Sequence, residues 1–176
     1  MQAEGVAKIP AGFFLRERLW PQDEDTVARI VRSSGYFSPQ ECAIAVELVR
    51  ERRVRGAASG YEFLFVESAG SSPEEPLTCA YCCYGEIACT EGSYDLYWIA
   101  VDQKHRSEGI GHWLLAELEA KIKRKNGRQI YIETSGKPQY EPTRHFYLSS
   151  GFEHLVSYPD FYAANDAKEV YWKRLG

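Results

Sequence analysis

The chain has 176 residues, 44% hydrophobic and 26% charged, with a formal net charge of −4. That length suits one domain over residues 1–176 with an adequate core at about residues 13–175, and the acidic balance argues against a nucleic-acid binder, whose affinity comes mainly from a basic surface. No stretch approaches the about 20 apolar residues that span a bilayer, and a first segment interrupted by Lys8, Arg16, Glu17 and Arg18 does not resemble a secretory signal, so the expected location is the cytoplasm with no membrane partner.

Phe13 to Leu19 reads as an opening strand, and Pro21 with Asp23, Glu24 and Asp25 marks a helix start carrying Val27, Ile30 and Val31. Gly35-Tyr36-Phe37 breaks that helix. Ser38-Pro39-Gln40-Glu41 then forms a capping box with proline at the first helical position, and Ile44, Leu48 and Val49 are the expected apolar face. After a loop over Arg53 to Gly60, strands are predicted for Tyr61 to Val66, Leu77 to Gly85 and Leu96 to Val101. They are separated by turns at Ser68 to Pro76 and Glu91-Gly92-Ser93. Their short connections predict an antiparallel meander.

From Ile110, the residues Leu114, Leu118 and Ile122 recur every four positions, and Asn126-Gly127 ends that helix. Ile130 to Glu133 is then predicted to run parallel to the strand before the helix, since a crossover of this kind needs a dozen or more residues. A last helix covers about Thr143 to Ser149, and strands near Phe152 to Tyr158 and Glu169 to Lys173 close the chain as a hairpin. The basic run Lys121, Lys123, Arg124, Lys125 and Arg128 falls at a helix C-terminus, where cations complement the dipole. Cys79, Cys82, Cys83 and Cys89 crowd one segment, with Cys42 alone. They lack the second paired cluster of a zinc site, and Cys79-Ala-Tyr-Cys82-Cys83-Tyr84 reads as a strand in which cysteine is a small buried residue; no metal is expected.

The chemistry concentrates between Tyr94 and Gly151. Arg106-x-x-Gly109-x-Gly111 follows a strand and opens a helix, so glycine lets backbone N–H groups approach an anion, and Lys104, His105 and Arg106 add positive charge. A diphosphate is the expected guest. A phosphate-binding P-loop is excluded because no Lys-Ser/Thr pair follows Gly111. A dinucleotide fold is disfavoured because the meander and the single remaining crossover leave too few units for a doubly wound sheet.

These residues resemble the GNAT superfamily of N-acetyltransferases. Arg106, Gly109 and Gly111 match its Gln/Arg-x-x-Gly-x-Gly/Ala loop, Leu96 to Val101 looks like its fourth strand, and Phe146-Tyr147-Leu-Ser-Ser-Gly-Phe152 looks like its late helix-to-strand element. The resemblance covers nearly the whole chain. It implies an α/β fold with a mixed central sheet, an antiparallel meander, splayed parallel strands four and five, and flanking helices.

It also implies acetyl-CoA as cosubstrate and direct transfer of its acetyl group to a primary amine of a small molecule or peptide. Cofactor contacts are expected at Ile99, Ala100 and Val101, and at Arg106, Ser107, Glu108, Gly109, Ile110, Gly111 and His112. The resemblance makes Tyr147 the acid that protonates the departing thiolate and Asp95 the first candidate for the base. Glu133 is a second base candidate or an acceptor contact. Tyr36 and Phe37, with the terminal hairpin, are expected to flank the acceptor, and relatives that form dimers suggest a homodimer. The alternative is an acyl-CoA-binding sensor that has lost turnover. Tyr140 to Thr143 departs from the family, whose members often carry a polar residue there, commonly Asn.

Overall fold

A computed structural model describes residues 11–69 and 76–176. Its elements in chain order are β1 (Phe13–Arg16), α1 (Asp23–Ser34), α2 (Pro39–Arg55), β2 (Glu62–Ser68), β3 (Leu77–Glu86), β4 (Ser93–Val101), α3 (Ile110–Arg124), β5 (Gln129–Ser135), α4 (Glu141–Ser149), β6 (Glu153–Ala163) and β7 (Asp166–Arg174). The strand order is β1-β2-β3-β4-β5-β7-β6, the mixed α/β sheet that the sequence pattern implies. β4 and β5 are parallel, while β1–β2, β2–β3, β5–β7 and β6–β7 are antiparallel. The residues fall into two compact units, one running to Tyr84 with Trp98–Ala120, the other formed by Gly85–Tyr97 and Lys121–Gly176. Most of the expected turn at Ser68 to Pro76, and Lys8, lie outside the described residues.

In the first unit the chain folds as it does because an arginine is turned inward. Arg16 closes β1 three residues earlier than its apolar run suggests, since its guanidinium donates to both carboxylate oxygens of Asp23 at 2.8 Å and to Glu67 Oε1 at 2.7 Å. The cation lies over the rings of Trp20 and Phe65 at 3.9 and 4.1 Å. Glu67, fully buried, also accepts from Thr78 Oγ1. One network therefore joins β1, the first residue of α1, β2 and β3. Above it Val27, Ile30 and Val31 of α1 pack with Phe63, Phe65, Tyr81 and Cys83.

The capping box of α2 forms as predicted, with Ser38 accepting from the Glu41 N–H and Glu41 accepting from the Ser38 N–H. Of its expected face, Val49 is buried and Leu48 packs against the core, but Ile44 does not. Cys42, Ala45 and Val49 face the core, while Ile44 is 41% exposed. Small residues at 42 and 45 let the helix approach closely, so the stripe with less bulk is the one that packs. The helix also continues to Arg55 because no glycine intervenes before Gly56 and basic residues complement its C-terminus.

In the second unit, Tyr94, Leu96, Ile130, Ile132, Tyr147, Phe152 and Tyr171 are buried. α3 begins in the first unit, where Leu114 and Leu118 are buried, and ends in the second with buried Ile122, as its period requires; its end is fixed by Gly127, where an added Cβ would stand 2.2 Å from Ile122. The β6–β7 hairpin is longer than predicted because its turn lies at Asn165, whose N–H donates to Asp160 Oδ1 and whose φ is 63°. Thiol placement follows the sequence reading, with Cys79, Cys82 and Cys83 buried in β3. Burial pushes the Cys82 thiol up to about 12.

Replacing Arg16 by methionine leaves the Asp23 and Glu67 carboxylates buried without their cation. Loss of about 3–5 kcal/mol of unfolding free energy is expected from a urea titration, and a variant with the wild-type midpoint would refute the assignment of the network as the anchor.

Candidate functional site

At the end of β4 the chain leaves the sheet through Asp102, which is 4% exposed and accepts from the Lys104 N–H at 3.0 Å. A single 3-10 turn, Gln103–His105, follows. Ser107 and Gly109 then adopt left-handed φ values of 64° and 77°, and α3 begins with the Gly109 carbonyl accepting from the Trp113 N–H at 3.1 Å. The first N–H groups of a helix have no intrahelical partner and mark its positive end. A Cβ built on Gly109 meets nothing within 4 Å, so the outer side of this turn is open. Glu108, Ile110, Gly111 and exposed His112 complete the turn, and Glu108 pairs with His105 at 3.2 Å. The backbone fits an oxyanion such as a diphosphate.

The Arg106 side chain is tied to α1. Its guanidinium donates to the Ser34 carbonyl at 2.5 Å and lies over the Tyr36 ring at 4.9 Å. Ser33 Oγ accepts from the Gln103 N–H, and Arg29 binds both Asp102 and the Thr78 carbonyl. The C-terminal half of α1 thus holds the loop. Phe37, like Tyr36 an expected acceptor residue, packs against Trp98 at 5.1 Å between ring centroids, beside Ala100 in the core cluster. Ile99 and Val101 are half-buried along the same strand. Beside Phe37, a groove of 610 Å³ runs along α1 and α2, with Glu24, Arg32, Cys42, Val46 and Arg50 in its wall.

In the second unit, strand register sorts the candidate side chains by face. Asp95 pairs with Tyr131, Glu133 with Val170, Ser135 with Lys168, and Tyr158 with Lys168. Paired residues share a face and alternate positions share it too, so Asp95, Glu133, Lys168 and Tyr158 stand on one side of these strands. Tyr147 packs its ring on Tyr171 at 5.8 Å and on Phe152 at 6.2 Å. Tyr171 follows Val170 and points to the opposite face. The proposed acid and the proposed base therefore lie on opposite sides of β5.

Lys168 Nζ stands 3.1 Å from Glu133 Oε1 and lies 4.1 Å from the Phe161 ring centre and 5.2 Å from that of Tyr158. Burial and the neighbouring Glu133 carboxylate raise the Asp95 carboxyl above its ordinary range, with Lys168 pulling it back. Burial raises the Tyr147 phenol above its usual value, with Tyr171 adding to the effect. Tyr147, 6% exposed, stays protonated at neutral pH. Lys168, Arg29 and Asp102 were not singled out in the sequence. Alternation along Asp166–Arg174 could have put Lys168 on a face with Val170, but its carboxylate partner is 35 residues away.

Three comparisons bear on the chain. The family model described as an acetyltransferase (GNAT) domain matches residues 60–154. A GNAT-family acetyltransferase structure from Desulfovibrio desulfuricans is 40% identical, with TM-score 0.87, covering 93% of this chain and 99% of its own. The fold is also similar to that of the ribosomal-protein-S18-alanine N-acetyltransferase of Escherichia coli, at 16% identity and TM-score 0.71 over 93% of this chain and 94% of that one. The yncA protein of Salmonella typhimurium, solved with acetyl-CoA, is 13% identical with TM-score 0.64 over 94% and 95%. No curated protein sequence matches. Among the described residues no cluster is arranged to hold a metal ion, and no helix is long and apolar enough to cross a membrane.

Because space around Gly109 is open, Gly109→Ala changes only the backbone energy at φ 77°. The expected cost is about 1–2 kcal/mol, read from the urea midpoint; an unchanged midpoint would mean that the loop relaxes to another conformation.

Proposed function

The chain belongs to the GNAT acetyltransferase family, and from that premise we propose that it transfers the acetyl group of acetyl-CoA directly to a primary amine. The observation that carries this reading is the turn from Ser107 to Gly111, whose left-handed residues open a helix N-terminus outward. Its backbone N–H groups hold the diphosphate of the cosubstrate. Backbone groups of Ile99 to Val101 pair with the pantetheine arm and polarise the thioester carbonyl. Such fixed dipoles act on charge as it develops, without reorganisation.

Direct transfer needs one proton removed and another supplied. The amine must be neutral to attack, so Asp95 accepts its proton directly or through water, with Glu133 on the same face as the second acceptor. A carboxylate whose affinity for protons is raised by burial and by a like charge is a stronger base than an exposed one. Tyr147 donates to the leaving thiolate. Its opposed placement across β5 suits a reaction in which the amine arrives from one side and sulfur departs on the other. The acceptor lies near Tyr36 and Phe37, the chain works in the cytoplasm as one domain, and a homodimer is the assembly to test.

The deciding experiment is release of CoA from acetyl-CoA across a panel of primary amines. Tyr147→Phe is expected to lower turnover by about ten- to a thousandfold with little change in acetyl-CoA affinity. An unchanged rate would remove the phenol from the mechanism. Tight acetyl-CoA binding without transfer to any amine would favour the sensor.

A pH profile tests the base. Asp95 must be deprotonated to act, and its carboxyl is raised, so the acid limb of kcat/KM should lie above the ordinary aspartate range. Lys168→Met removes a nearby cation that lowers it and should move the limb further up. A limb that stays in place in Lys168→Met and persists in Asp95→Asn would transfer the role to another group.

A further inference from the structure

The side chain of Lys168 stands on the face of the two carboxylates to which the acetyl-transfer reading gives the acceptor's proton. It is a primary amine on the same face as Asp95 and Glu133, opposite the face on which Tyr147 packs. Two rings and a carboxylate hold it in one direction, with Glu133 Oε1 at 3.1 Å and the Phe161 ring at 4.1 Å. Its side chain is 15% exposed while that of Glu133 is 52% exposed. An ion pair with one partner so open to water is weak, so it orients the amine without fixing it in place. Asp95, half-buried, engages no hydrogen bond or ion pair among the described residues, and is available to accept a proton.

We propose that Lys168 is a self-acetylation site, its ε-amine taking the acetyl group of acetyl-CoA in the manner of an acceptor. The inference rests on the acetyl-transfer reading above. The ammonium first loses a proton to Asp95 or Glu133. Its lone pair then forms the Nζ–C bond to the thioester carbonyl carbon as the C–S bond breaks, and the electron pair of that bond leaves on sulfur. The nitrogen sheds a second proton as it becomes an amide. One proton ends on the CoA thiol and one passes to solvent, so no oxidant, reductant or metal enters the balance.

The product has a physical consequence. Acetylation removes the charge and with it both the ion pair to Glu133 and the attraction to the rings. Asp95 and Glu133 are then left facing the same space without a cation, a field that favours an incoming ammonium. Lys168 thus becomes an internal first acceptor whose modification prepares the face for an external one.

The test incubates the full chain with acetyl-CoA and follows intact mass and digested peptides over time at several protein dilutions. Lys168 is expected to gain one acetyl group at least about tenfold faster than Lys123 or Lys137, at a rate per molecule independent of protein concentration, as pre-positioning within one chain requires. Lys168→Arg keeps the cation but blocks the amide, and should abolish the fast mass gain with an unchanged circular dichroism spectrum. Asp95→Asn should slow it at least about tenfold if the carboxylate removes the proton. Labelling of Lys168 no faster than of Lys123, or an unmodified Lys168 while a free amine is acetylated in the same tube, would overturn the inference and leave the transfer reading intact. Failure of acetyl-CoA to bind at all would bring down both.

Discussion

A guanidinium buried between two carboxylates is the constraint from which the first unit is built. Arg16 cannot be solvated at 8% exposure, and each partner comes from a different element, Asp23 from the start of α1 and Glu67 from β2. Because an unpaired buried charge costs several kcal/mol, the three groups must assemble together. That requirement sets where α1 begins and how it lies on β2 and β3. Hydrophobic packing of Val27, Ile30 and Val31 then follows on a helix whose entry is already determined.

What the helix start decides, the helix end uses. Through Arg29, Ser33 and Ser34, α1 grips the segment from Asp102 to Arg106 at several points. The family pattern accepts arginine or glutamine at the first motif position, and both offer planar N–H donors that can reach a carbonyl oxygen. In this chain that donor is directed at the last carbonyls of α1, where a cation also meets the negative end of the helix dipole. The arginine beside the loop thus serves to tie it to α1.

Legibility in the sequence divides along the distance between partners. The capping box at Ser38, the four-residue repeat through Leu114, Leu118 and Ile122, and the turn at Gly109 are local patterns, and each produces the expected element. The parallel placement of β5 follows from one crossover helix. Arg16 was unreadable because its carboxylate partner Glu67 lies 51 positions away, and an arginine inside an apolar strand looks like a surface residue. In α2 the sequence pattern points to Val49 and Leu48 correctly but to Ile44 wrongly, for a related reason. Apolar residues occur around most of that helix, and only the packing partner selects Cys42, Ala45 and Val49 over Ile44. Asp95, Glu133 and Tyr147 are candidates that the sequence offers, but their division between two faces emerges only from the register of the paired strands, and Lys168 enters only with it.

The thiols of β3 illustrate how burial assigns reactivity as well as stability. Cys79, Cys82 and Cys83 are shut away from solvent, whereas Cys89 stands exposed in the turn that follows, at φ 61°. A thiol kept protonated and out of reach is inert to peroxide and to alkylating reagents. Of these four neighbouring sulfurs, one alone is accessible, so a maleimide dye would mark a single surface point here, and oxidative damage would begin at the turn before it reached the strand.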